Sequence, residues 1–459
     1  MLQGSNYKRL VQEAPEAVMV RMVLEHSLES DAVDEVFENS RDDQYTRTLL
    51  FSSIVDLMTL VVCRARRSVS AAFQFCRDKF DVSLKSVYNK LNATDPTVCR
   101  ALLRHSAERM TQVIVELGVS ERPLIPGYNI RILDGNQLAA TEHRIKELRT
   151  IASGPLPGKS LVVWNADLGM ISDVYCCEDS YTQERHIMRE VFANIQAGEL
   201  WIADRNFCTS AILRQIGQRG ALFVIRQHAR NAPFRATGPE RQVAVSETGV
   251  VHETPVVIED ALGGSIEARL VRVKLKSATR DGDLSIQVFT NLPPSVTALQ
   301  VAEAYRRRWR IETAFFELDR VFEGEIKTLG HPGAALLAFT MSLIAYNALR
   351  VVRTALAAVH GQPAADRTSD YYLTENVIAD WRALDIVSSP ENWTAKYGNA
   401  TPRTLALALK QAAKYVKMER LRKSTRGPKK PRPKRIRHKR KPHVSTYRVI
   451  KARSRVTWT

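Results

Sequence analysis

Acidic residues are missing from one long stretch. Between Leu421 and Thr459 there is no aspartate or glutamate, against sixteen lysines and arginines. Those sixteen account for nearly all of the +18 net charge of the 459-residue chain, leaving +2 for the rest. The densest part, KSTRGPKKPRPKRIRHKRKPH, includes Lys434, Arg435, Arg437, Lys439 and Arg440. Its prolines, Pro428, Pro431, Pro433 and Pro442, exclude a continuous helix. Dense like charge with proline describes an extended arm that cannot bury a core. Its natural partner is a polyanion, and counterion release from nucleic acid would drive the binding. No amphipathic or lipidated segment accompanies it, which argues against a membrane surface.

Other absences narrow the class further. The opening MLQGSNYKRLVQEAPEAVMV lacks the basic-then-apolar layout of a secretion signal, so a cytoplasmic protein is expected. The six cysteines include no CxxC pair and no Cys/His cluster with zinc spacing, which leaves reduced thiols. There is no internal repeat. The longest apolar run, from Ala334, is interrupted by Asn347 and Arg350 and bounded by Pro332 and Gly361. It reads as a buried helix rather than a membrane span.

What is present has the composition of a globular protein with two or three domains, 44% hydrophobic and 25% charged. Residues 1–125 have helical spacing and form a probable DNA-binding domain. Within it, SAAFQFCRDKF and DVSLKSVYNKL read as two short helices around a tight turn, with Lys85 facing outward on the second. A helix-turn-helix reader of DNA and a plain helical hairpin fit this equally well. From residue 126 to 230 the order is strand, two-strand hairpin, helix, strand, helix, strand. Residues 231–294 alternate like strands without helices. A long helix containing AYRRRWRIETAFFELDR follows, then the buried helix to residue 360 and a helical region over 361–420, a candidate for dimerisation. The basic, disordered arm completes the chain from 421 to 459.

Asp134 and Asp204 each end an apolar strand and precede a loop. Carboxylates placed so project from a sheet edge, where a hard cation gathers oxygen ligands. Glu312, on the long helix, adds a third. Two Asp and one Glu on neighbouring elements suit two Mg²⁺ or Mn²⁺ ions, which activate water and stabilise both oxygens in phosphodiester cleavage. A single Asp in such a place is more often a turn or cap residue. On the same helix Tyr305, Arg308, Glu312 and Asp319 fall within about 60° of one another at 100° per residue. GPLPGKS has one residue too few between its glycines for a phosphate-binding loop, and it leads into a strand, so it reads as a turn. His331, just before a helix, reads as a cap.

RILDGNQ, LWIADRNF and YRRRWRIETAFFELD together resemble the DDE transposases of bacterial insertion sequences. More narrowly they are similar to the group marked by Tyr-(2)-Arg-(3)-Glu-(6)-Lys. The resemblance spans about Asn129 to Thr328. It implies an α/β fold with an RNase H-like mixed sheet and a β-rich insertion, preceded by a helical N-terminal domain and followed by helices and a basic tail. It also implies Asp134, Asp204 and Glu312 as ligands of Mg²⁺ or Mn²⁺, and Tyr305 and Arg308 as grips on DNA phosphates. The partners would be double-stranded DNA, as transposon terminal repeats and target, and a second copy of the chain in the synaptic complex. One departure stands out: Asp319 occupies the place of the expected lysine. Arg306, Arg320 or Lys327 would have to supply the lost charge. Two alternatives follow from it, a non-catalytic DNA-binding relative and a nuclease without strand transfer.

Overall fold

The computed structural model describes residues 5–42, 44, 46, 48–119, 123–228, 230–259, 264–279, 282–321, 325–424 and 443–456. The side chains of residues 5, 316–321 and 453–456 lie outside that description. So do Lys434, Arg435, Arg437, Lys439 and Arg440 entirely, and the side chains of Asp319 and Arg320.

The strands are β1 (Asn129–Gln137), β2 (Gly154–Leu156), β3 (Lys159–Asn165), β4 (Met170–Cys177), β5 (Glu199–Ala203) and β6 (Leu222–Arg226). They continue with β7 (Phe234–Ala236), β8 (Arg241–Val245), β9 (Gly249–Glu259), β10 (Ser265–Leu275), β11 (Ser285–Thr290) and β12 (His443–Ser445). Ten of them form one sheet in the order β4-β3-β1-β5-β6-β11-β10-β9-β7, with β8 also on β9. Strands β1, β5 and β6 are parallel, while β3 and β4 return antiparallel. The β-rich block is thus no separate layer. It enters the same sheet through β11, which pairs antiparallel with β6 from Val288–Arg226 to Thr290–Val224.

Period-two alternation gives the sheet two apolar faces. On one, Ile130, Ile132, Val162, Trp164 and Ile202 join the core around the helices Pro96–Leu117 and Pro332–His360. On the other, Leu133, Leu161, Val163 and Ala203 pack with Ile187, Val191, Ile212 and Ile216 of the helices Glu184–Phe192 and Ser210–Gly217. Helix Pro332–His360 is long and apolar enough to cross a membrane, yet its apolar stretch is almost wholly buried inside the protein. The N-terminal helices Pro15–Ser27 and Phe51–Val62 and strand β4 pack on it too. Asn347 is fully buried there, because its amide accepts from Ile171 N–H at 2.9 Å and donates to Ile171 C=O at 2.7 Å. That pairing lies beside the irregularity in the β3–β4 register.

The short-helix pair is seen as Val69–Phe75 and Leu84–Asn92, with Lys85 exposed. GPLPGKS spans β2, a turn and the start of β3, and Lys159 donates to the Thr182 carbonyl at 2.6 Å. His331 occupies the N-cap position of its helix without a side-chain capping bond. All six cysteines are unpaired.

Three expectations need correction. Asp134 does not end its strand before a loop: Gly135, Asn136 and Gln137 continue β1 opposite Leu161, Ser160 and Lys159 of β3, and only the pairing with β5 stops at Leu133. The long helix is two helices, Ala298–Arg306 and Trp309–Val321. Between them Arg308 N–H bonds Tyr305 C=O and Arg310 N–H bonds Arg307 C=O, the three-residue spacing of a tightened turn. Tyr305 and Glu312 therefore do not share one continuous helical stripe. The basic arm, expected to be disordered to residue 459, is structured over 443–456. There β12 pairs parallel with β2, and a helix Thr446–Val456 follows. Asp179 fastens it further, accepting from Ser445 Oγ at 2.8 Å and from Arg448 Nε at 2.7 Å.

Candidate active site

Asp134 and Asp204 come together because their strands are parallel neighbours. Leu133 of β1 stands opposite Ala203 of β5, so the next residue along each strand is the carboxylate. Adjacent strands lie about 4.8 Å apart, and the pleat aims both side chains to the face of Ile132 and Ile202. Asp134 Oδ1 accepts from Gly135 N–H at 3.0 Å, and Asp204 Oδ1 from Asn206 N–H at 2.8 Å. The second bond caps the single turn Arg205–Phe207, so part of the role of Asp204 is that of a cap.

Glu312 approaches from the helix Trp309–Val321, which packs against β1. Arg308 connects it to the sheet. The guanidinium donates to Asp134 Oδ2 at 2.9 Å and to Glu312 Oε1 at 2.5 Å. It also lies 5.9 Å from the Tyr305 ring centroid and 5.8 Å from that of Trp309. Tyr305 and Arg308 are both buried, turned toward the carboxylates rather than to open surface.

The electrostatics follow from this burial. Burial pushes the Asp134 carboxyl up to about 7; Arg308 opposes the shift, and Asp204 and Glu312 add to it. Burial works against the Arg308 charge, but Tyr305, Asp134 and Glu312 outweigh it and hold the group above the usual arginine range. Burial likewise raises the Tyr305 hydroxyl above the ordinary tyrosine value.

Among the described residues no three His, Cys, Asp or Glu side chains lie close enough together to hold a metal ion as they stand. The donor set still fits one. All three side chains offer hard oxygen ligands. Between Asp134 and Glu312 the site already holds a positive charge, the Arg308 guanidinium.

The remaining expected contacts are scattered around this centre. Arg306 is exposed and pairs with Glu247 at 3.2 Å and Glu303 at 2.8 Å. Lys327 is exposed, and its carbonyl accepts from Glu142 N–H in the segment after β1. Lys85 is on the N-terminal helices, away from the three carboxylates in sequence and in packing. Two neighbours of the site were not anticipated. Glu184 begins the helix Glu184–Phe192, and its Oε2 accepts from Asn206 Nδ2 at 2.5 Å. Asn206 lies inside the quoted LWIADRNF, and the glycine directly after Asp134 is the one local sign that something presses on β1.

Residues 126–348 match the family described as transposase DDE domain. The match supports a DDE transposase. It covers every element that carries Asp134, Asp204, Arg308 and Glu312. No curated protein matches the chain. A solved structure titled as the cryo-EM structure of the piggyBac transposase synaptic complex with hairpin DNA aligns with 85% of this chain and 86% of that one. Identity there is 9% and the TM-score 0.38, which establishes neither fold nor function for this chain.

Proposed function

We propose that this chain is a DDE transposase that cuts DNA at the ends of its own element and joins the freed ends to a target, with Mg²⁺ or Mn²⁺ held by Asp134, Asp204 and Glu312. The observation that carries the reading is the register of β1 on β5, which sets Asp134 and Asp204 side by side inside the matched domain. The strand order β4-β3-β1-β5-β6, with β3 antiparallel to both its neighbours and β5 and β6 parallel to β1, favours the RNase H-like description.

Two bound ions would supply an activated water and stabilise the attacking and leaving oxygens of phosphodiester exchange. The chain's own contribution is placement. The two strands fix the aspartates, and the helix from Trp309 brings Glu312 to the same face. Arg308, which lies beside these carboxylates, would be the chain's own cation for a DNA phosphate, for which its planar fork is suited. Double-stranded DNA as partner, and a second copy of the chain holding the other end, belong to the same proposal. Lys85, Arg306, Arg320, Lys327 and the basic segment with Lys434, Arg435, Arg437, Lys439 and Arg440 are its candidate phosphate contacts.

The test uses the full chain and linear DNA bearing the repeats that flank its gene. Nicking at the repeat ends is expected only with Mg²⁺ or Mn²⁺, and Asp204→Asn should lose it while still binding the DNA. Repeat binding without cleavage under any metal would instead make the protein a non-catalytic binder. Cleavage without joining of precut ends would make it a nuclease.

A further inference from the structure

We infer that Glu184 is a positioning residue that locks the part of β1 bearing Asp134 and the end of β5 bearing Asp204 together from the opposite face of the sheet; this rests on the reading of those two carboxylates as the reactive pair. Gly135 follows Asp134, and its missing side chain would project toward the helix Glu184–Phe192. A Cβ built there would stand 2.2 Å from Glu184 Oε1 and 2.6 Å from its Cδ. The Glu184 carboxylate thus occupies the space a side chain at 135 would need. Glycine inside a strand weakens it, and close approach of another group is a reason to keep one there.

The other oxygen of Glu184 reaches the second strand end. Oε2 accepts from Asn206 Nδ2 at 2.5 Å, and next to it Arg185 Nε donates to the Asn206 carbonyl at 2.7 Å. Asn206 N–H in turn donates to Asp204 Oδ1 at 2.8 Å, while Gly135 N–H donates to Asp134 Oδ1 at 3.0 Å. One carboxylate therefore touches the residue after the first aspartate and the side chain of the residue whose N–H the second aspartate caps. An acid in the first helical turn is also favoured by the helix dipole. That effect requires neither the vacancy at Gly135 nor the bond to Asn206.

Groups that orient ligands without touching the ion typically change metal affinity or activity by about 10- to 100-fold when removed. Glu184→Ala in the full chain should weaken Mn²⁺ binding, followed by electron paramagnetic resonance, by about that factor. The nicking rate at saturating Mn²⁺ and DNA should fall with it, and DNA affinity should stay put. Glu184→Gln keeps an acceptor for Asn206 and should recover most of both. Gly135→Ala forces the Glu184 carboxylate aside and should reproduce the Glu184→Ala defect, the double variant being no worse than either single one. The idea is overturned if Glu184→Ala lowers only the melting temperature and leaves Mn²⁺ affinity and saturated rate intact, or if the Gln and Ala variants are equally impaired. A wild-type chain that neither binds Mn²⁺ nor nicks DNA would remove the proposed function as well; a wild-type chain that does both, beside an unaffected Glu184→Ala, removes only this inference.

Discussion

Arg308 donates to Asp134 across 174 positions of sequence, at 2.9 Å, and thereby fastens the helix of Glu312 to the first strand of the sheet. The cation between these two carboxylates is the Arg308 guanidinium.

Replacing it has a direct cost. The Arg308 side chain is 9% exposed, Asp134 16% and Glu312 38%. Breaking a fully buried pair costs about 3 to 5 kcal/mol; with one partner this open, Arg308→Met should destabilise the metal-free chain by about 1 to 3 kcal/mol. Adding Mg²⁺ should restore part of the loss, because the carboxylates regain a cation. Denaturant melts with and without Mg²⁺ measure this, and an unchanged melt without metal would count against the pairing.

Asn347 predicts a loss of another kind. Asn347→Leu fits the apolar helix but strips both backbone partners from Ile171. Each unsatisfied buried group costs about 1 to 3 kcal/mol, so the two groups predict a fall of about 2 to 6 kcal/mol in chemical denaturation. A neutral outcome would mean that the β4 backbone finds other partners.

Acid should unfold the N-terminal helices through His26. Burial, with the Arg109 guanidinium at 3.3 Å from Nδ1 and His105 nearby, lowers its pKa to about 4. The folded value lies below the ordinary 6.5, so the folded chain binds fewer protons at intermediate pH. Its stabilising contribution is present above 6.5 and is lost as pH falls toward 4, a change of about 2 to 3 kcal/mol by linkage. His26→Gln should flatten the stability profile across that window and leave the profile above pH 7 parallel to wild type.

The C-terminal segment should be released by a single change. Asp179→Ala removes the acceptor of Ser445 and Arg448. Tryptic cleavage at Arg448 and Lys451 is expected to become roughly tenfold faster, since about 1.4 kcal/mol of local stability is a factor of ten in the open population. Equal rates in the two proteins would show that β2–β12 pairing suffices.

The sequence made some of this legible and hid the rest for physical reasons. Asp134 was legible from the apolar run before it, although β1 continues past it to Gln137; Asp204 could be picked out because it directly follows the apolar strand β5, a local pattern. The break at Arg307–Arg308 could not, since the apolar spacing of Ala304, Ile311 and Phe315 runs through it as through a continuous helix. Glu184 was invisible for a different reason. Its partners, Gly135 and Asn206, lie on two other elements, and only the folded sheet brings them beneath it. The pairing of β11 with β6 is equally non-local. In HVSTYRVI the surrounding positive charge masked a short strand that needs β2 and Asp179 to exist.

The helix Pro332–His360 has a consequence for how the chain is made. The N-terminal helices bury their apolar sides against a segment that follows them by some three hundred residues, so during synthesis they must wait for it. Until residue 360 has left the ribosome, the helices Pro15–Ser27 and Phe51–Val62 lack one of the surfaces that cover them in the finished protein. Such a chain assembles late and all at once, and during its own translation it is a natural client for chaperones.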